Sequence, residues 1–223
     1  MSSAPLRLPP PGLSGLIGLT GAVAAGKDSA AAVLQRAGWR GMAFADALRI
    51  EVAEAWGVDI RTFTSRATKD RPLESLRAGC CMQKQFLAWL AYQGASLHDA
   101  RSPRWVLQTW GRFRRDSDPH YWVTQVEHWI CYQRSSGHHC IVITDVRMPI
   151  EALMLRRLDA RLVRVHRPGP PPLAADTRSD ETEQHAALQV DADLHNDGDL
   201  QHLDAEVARV LQQLSAPQSG DRS

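Results

Sequence analysis

Apolar positions in this chain gather in short runs, separated by stretches of helical spacing. Leu16-Ile17-Gly18-Leu19-Thr20 is an apolar run bounded by glycines and predicts a buried strand. Residues 27–37, KDSAAAVLQRA, are rich in helix formers and stop at Gly38, a residue suited to a C-cap. Met42-Ala43-Phe44 is a weaker strand signal, and 46–56 reads as a helix closed by Gly57. A long, mostly helical stretch covers about 58–135, with helices expected near 74–93, 102–113 and 118–134. Strands return at 140–144 and 162–165, and Pro149 between them suits the first residue of a helix running to about Leu158. Residues 167–183 are rich in Pro, Asp and Thr and read as a loop or lid. A short strand near 190–194 and a helix at 199–214 complete the pattern.

Strands alternating with helices, the strands uniformly apolar, predict a parallel sheet covered on both faces. The expected fold is α/β with three layers and a mostly parallel, five-stranded sheet. One domain is expected over 14–214, between a proline-rich arm at 1–13 and a polar tail at 215–223. Ligands of such sheets bind beyond the C-terminal ends of the strands.

The composition narrows the function. With 26 Lys+Arg against 25 Asp+Glu the net charge is +1, so no nucleic-acid polymer is expected as a partner. No apolar run approaches the roughly 18 residues of a membrane span. The start, MSSAPLRLPPPG, lacks the pattern of a secretory signal, which makes a cytoplasmic location the expectation. Cys80, Cys81, Cys131 and Cys140 form no CxxC pair and read as reduced thiols. His138-His139 has no companion ligands and reads as a loop before a strand.

The chemistry starts after the first strand. Gly21-Ala22-Val23-Ala24-Ala25-Gly26-Lys27 is Gly-x4-Gly-Lys, a phosphate-binding loop in a strand–loop–helix setting. Gly21 and Gly26 permit a backbone that turns the N–H groups of residues such as Ala24 and Ala25 toward phosphate oxygens. The helix that follows adds its positive N-terminal end, and Lys27 a mobile cation. Only three residues of the chain are lysines, Lys27, Lys69 and Lys84, and the first of them sits here. Ser or Thr usually follows the loop lysine and binds Mg²⁺. Here Asp28 follows and Ser29 comes next, so Ser29, or Asp28 directly or through water, is the metal-facing group; Asp28 also suits a helix N-terminus by charge alone. Asp145 ends the run IVITD, where such proteins place a Mg²⁺-supporting carboxylate, although an Asp also starts turns. Arg147 lies two residues on and points to the same cleft or to a surface ion pair.

Several short motifs now occur in order: Gly26-Lys27-Asp28-Ser29; Phe44-Ala45-Asp46-Ala47-Leu48-Arg49; Leu107-Gln108-x-x-Gly111, then Arg115 and Asp118-x-x-Tyr121-Trp122-Val123; Thr144-Asp145-Val146-Arg147-x-Pro149-x-Glu151-Ala152; and Asn196-Asp197-Gly198. Together they resemble the deoxynucleoside monophosphate kinases typified by those of tailed bacteriophages, within the nucleoside monophosphate kinase-like P-loop proteins. The resemblance spans about residues 15–212. It implies transfer of the γ-phosphoryl of ATP, with Mg²⁺, to a deoxynucleoside 5′-monophosphate, in the cytoplasm (that of a host if phage-encoded). It implies that 58–135 is a helical acceptor-binding insertion and 167–183 a lid. Nucleotides are then the partners, and a homodimer is one expectation for its assembly.

By the same resemblance Asp46, Arg49, Arg104, Gln108 and Arg115 face the acceptor. Arg167 and Arg178 close with the lid on the transferring phosphate, alongside Lys27, Asp145 and Arg147. Asn196 and Asp197 lie in the vicinity of adenine. Arg112-Phe113 stands where the family often has Thr-Glu. Tyr121 and Trp122, at helical spacing with Val126 and Trp129, fit a core better than a base stack. Kinases of another small acceptor, dephospho-coenzyme A or phosphomevalonate, share the loop and form the alternative. A nucleotide-binding protein without turnover is the reading from a different class.

Overall fold

The computed structural model describes residues 15–65, 67–169 and 187–215. Five strands form one sheet: β1 (Gly15–Thr20), β2 (Arg40–Met42), β3 (Cys140–Ile143), β4 (Arg161–His166) and β5 (Ala192–His195). Among the described residues there are seven α-helices: α1 (Lys27–Arg36), α2 (Phe44–Trp56), α3 (Lys84–Tyr92), α4 (Pro103–Ser117), α5 (Tyr121–Ser135), α6 (Pro149–Arg157) and α7 (Leu200–Ser215). The chain divides by its contacts into two units. One comprises Met1–Phe44 with Glu127–Ser223, the other Ala45–Val126. None of the described helices is long and apolar enough to cross a membrane.

The first unit holds the sheet, in the order β2-β3-β1-β4-β5, with every pairing parallel. This is the fold class that the alternation of strands and helices predicts. β1 lies at the centre and all of its residues are buried, its leucines, isoleucine and glycines together with the polar Thr20. On one face Ile17, Leu19, Val163 and Val165 interlock with Val33 and Leu34 of α1 and with Leu203, Val207 and Val210 of α7. On the other, α6 lies against β1 and β4, and Leu155 and Leu162 meet over Gly18. Each fully buried aliphatic side chain contributes roughly 1.5–3 kcal/mol.

β2 is displaced from its expected place. It covers Arg40–Met42, and Phe44 already opens α2. The ladder ends where Met42 pairs with Ile143, and the Phe44 N–H is taken by the Asp145 carboxylate, Oδ1, at 2.6 Å. A side-chain acceptor thus caps the helix where a third strand residue was expected.

The second unit is helical with an aromatic core. Trp110 is fully buried, with Trp56 at 5.5 Å, Phe86 at 4.8 Å and Phe113 at 5.5 Å between ring centroids. Val106, Trp110 and Phe113 share one face of α4 by their spacing. Trp122 belongs to the same core, which agrees with the packing reading of that residue. The expected helix at 74–93 is in fact two short 3-10 turns, Glu74–Leu76 and Ala78–Cys80, followed by α3. There the Gly79 N–H donates to the Leu97 carbonyl (2.9 Å) and the Met82 N–H to the Ala55 carbonyl (2.8 Å). Partners distant in sequence outcompete the i−4 carbonyls, so the helix cannot start before Lys84.

Candidate functional site

The loop after β1 is built from backbone. Gly21, Ala24 and Gly26 all adopt left-handed φ, at 137°, 64° and 95°. A side chain at Gly21 would collide with the Val165 carbonyl, and one at Gly26 with the Asn196 amide. Ala24 takes its conformation without that freedom, a strain of about 1–3 kcal/mol that sites rather than scaffolds retain. α1 begins at Lys27 with no side-chain cap at its N-terminus. Its first N–H groups therefore face outward with the positive helix end behind them, the arrangement that suits an anion.

Lys27 folds over this loop. Its Nζ donates to the carbonyls of Gly21 and Ala22, each at 2.8 Å. Burial, then the nearby Arg147, hold its ammonium below the usual lysine range, while Asp28 and Asp145 pull the other way. An arriving polyanion would stabilise that charge. Asp28 and Ser29 are exposed on the first turn of α1.

Asp145 leaves β3 beside the loop and is half-buried. The turn after it is fixed by a residue to which sequence reasoning gave no role, Glu151. Its Oε2 accepts from the backbone N–H groups of Arg147 (2.8 Å) and Met148 (3.0 Å). Burial, with a smaller push from Asp145, raises the Glu151 carboxyl to about 7. Pro149 at the first helical position with Glu151 at the third is a helix-start signal, and that spacing was readable. Arg147 is exposed.

At the end of β5, Asn196 is buried and its Nδ2 donates to the Ala25 carbonyl at 3.0 Å. The residue expected in the vicinity of adenine is thus lodged against the loop 21–27. Asp197 is exposed and takes His202 Nε2 at 2.8 Å. Arg167 is exposed just after β4. Arg178 lies outside the described residues, as does most of the expected lid.

The remaining candidates belong to the second unit. Arg49 is paired with Asp46 at 2.7 Å, and its Nε is buried with no hydrogen-bond partner among the described residues. Arg104 donates to Asp70 Oδ1, and Gln108 and Arg115 are exposed on α4. A half-buried cation here is one that sequence reasoning passed over. Arg114 is ion-paired with Glu51 and stacks over the rings of Trp110, Phe113 and Tyr121 at 4.8–5.4 Å. Tyr121 donates its hydroxyl to the other Glu51 oxygen at 2.9 Å. Burial and this carboxylate push its phenol up to about 12. Nothing in the local sequence distinguishes Arg114 from Arg112 or Arg115.

No protein-family model matches the chain and no curated protein matches it. Solved structures do share its fold. A dephospho-CoA kinase from Campylobacter jejuni aligns with a TM-score of 0.52 and 11% identity, over 90% of this chain and 97% of that one. A protein from Thermus thermophilus aligns with a TM-score of 0.48 and 18% identity, over 93% of this chain and 100% of that one. The first likeness is one of fold, to the α/β architecture with the five-stranded parallel sheet described above.

Proposed function

We propose that this chain is a P-loop kinase that transfers the γ-phosphoryl of ATP to a small acceptor. The observation that carries the reading is the loop 21–27. It bends through left-handed φ at Gly21, Ala24 and Gly26 at the C-terminal end of the central strand, and its lysine lies over it. Lys27 would exchange its two carbonyl partners for phosphate oxygens. Phosphoryl transfer needs positioning and charge neutralisation more than covalent help, and these are what a cradle and a cation provide.

Asp145, Asp28 and Ser29 form a hard-oxygen donor set suited to Mg²⁺. Among the described residues no three His, Cys, Asp or Glu side chains gather as a cage. Phosphate oxygens and water would complete the coordination of such an ion. When bound, Mg²⁺ would neutralise charge on the transferring phosphate. Asp145 would hold it directly or through water.

Two acceptors have support. The fold shared with the Campylobacter protein favours dephospho-coenzyme A. The order of motifs from Phe44-Ala45-Asp46 to Asn196-Asp197-Gly198 favours a deoxynucleoside monophosphate. The buried, unsatisfied Nε of Arg49 suits an anionic group on either. A coupled ADP-release assay with Mg²⁺, run across dephospho-coenzyme A, phosphomevalonate and the deoxy- and ribonucleoside monophosphates, decides between them. One of these is expected to stimulate ADP formation, and Lys27→Ala to lower the rate at least about a hundredfold with the fold retained. If none stimulates, the kinase reading fails; if Lys27→Ala is near normal, the role of the loop fails.

A further inference from the structure

A buried side chain, Asn196, lies under the phosphate loop. Asn196 is 9% exposed, and its backbone N–H donates to the His166 carbonyl at 2.7 Å, which ties it to the end of β4. Its Nδ2 donates to the Ala25 carbonyl at 3.0 Å and lies so close to Gly26 that a Cβ there would overlap it. Ala25 is buried, whereas Ala22, Val23 and Ala24 are exposed. The loop is therefore pinned at its base and open at its tip.

A peptide unit is planar and trans, so its C=O and the following N–H point in opposite directions. With the Ala25 carbonyl held by Asn196, the Gly26 N–H is turned away from β5, toward the open side of the loop. We propose that Asn196 is a positioning residue for phosphate binding. Its amide sets the plane of the 25–26 peptide and thereby aims the Gly26 N–H at an incoming phosphate. Asn196 does not touch the ligand. Losing the amide would release the peptide plane and leave the buried Ala25 oxygen unsatisfied.

The inference rests on the reading of loop 21–27 as a nucleotide site, and the test separates the two. Binding of ADP and of adenosine to the full chain is measured calorimetrically for wild type, Asn196→Ala and Asn196→Asp, with thermal unfolding of each free protein alongside. Wild type is expected to bind ADP. Asn196→Ala is expected to weaken ADP by about tenfold, the loss of one well-placed hydrogen bond, and to leave adenosine unchanged, since adenosine offers no phosphate. Asn196→Asp, with an oxygen facing an oxygen, is expected to weaken ADP further; it keeps the size of the residue and carries the test if Asn196→Ala fails to fold. Equal loss for ADP and adenosine would overturn the proposal and place Asn196 at the base. Unchanged ADP affinity in a folded variant would overturn it as well. A wild-type protein that binds neither ligand would overturn the nucleotide reading itself, and the proposal with it.

Discussion

The two units use the same residue types to different ends. In the first, the candidate site is made of backbone: three left-handed residues, an uncapped helix start and one lysine folded over them. Its core is aliphatic and lies in a sheet whose strand ends fix where the loop emerges. In the second, the candidates are side chains on helices around an aromatic core, and three of their arginines are already engaged. Arg49 meets Asp46, Arg104 meets Asp70, and Arg114 meets Glu51. A backbone site is defined by where the chain turns. A side-chain site is defined by which of many similar groups remains available, and local carboxylates decide that.

This contrast breaks most visibly at Trp110. If the second unit rests on its aromatic cluster, Trp110→Ala should cost about 3–5 kcal/mol in denaturant unfolding. Trp110→Phe should cost less, because the indole N–H has no partner among the described residues to lose. A loss under about 1 kcal/mol for the alanine variant would show that the aromatic packing does not hold this unit.

A smaller effect tests the polar support in the first unit. The Glu151 carboxyl rises from 4.5 to about 7 on folding, so the folded chain binds its proton more tightly than the unfolded chain. The stability this contributes is fully present below about pH 4.5 and is lost as the pH climbs through about 7. Glu151→Gln keeps an acceptor for Arg147 and Met148 without the charge. Measured without Mg²⁺, its stability relative to wild type should therefore grow from pH 4.5 to 7, by at most about 3 kcal/mol. A difference that is flat across that window would show that the carboxylate is not penalised there.

The smallest effect concerns the Glu51 hub. Tyr121 is raised to about 12 first by burial and then by Glu51. Removing that carboxylate with Glu51→Gln should lower the late-titrating phenol by about one unit or less, followed by ultraviolet absorbance. A value still near 12 would show that the Glu51 charge does not contribute.

Legibility in the sequence follows the same division. The Gly21–Lys27 loop is a local object: its residues are contiguous, and the flanking strand and helix are visible in the apolar pattern. The parallel sheet was readable for a related reason, because the central strands β1 and β3 are largely buried and read as mostly apolar runs. The break of the expected 74–93 helix was not readable, since it depends on carbonyls of Ala55 and Leu97 that reach Met82 and Gly79. Likewise Arg104 stands out by its place beside Gln108, yet its partner Asp70 lies 34 residues away. Arg114 was not chosen, because only the packing of α4 against Glu51 and Tyr121 separates it from its neighbours.

The sequence by itself determined that a Gly-x4-Gly-Lys loop follows the first strand of a parallel α/β sheet, since glycine spacing and apolar runs are local properties of the chain. The tertiary structure alone decided that Asn196, 171 residues from Ala25, supports that loop. It also decided that Glu151 fixes the turn bearing Asp145 and Arg147, and which arginines of the helical unit are spent on neighbouring carboxylates. Hydrogen bonds and ion pairs form between groups that folding brings to about 3 Å, and a chain read residue by residue carries no record of those distances.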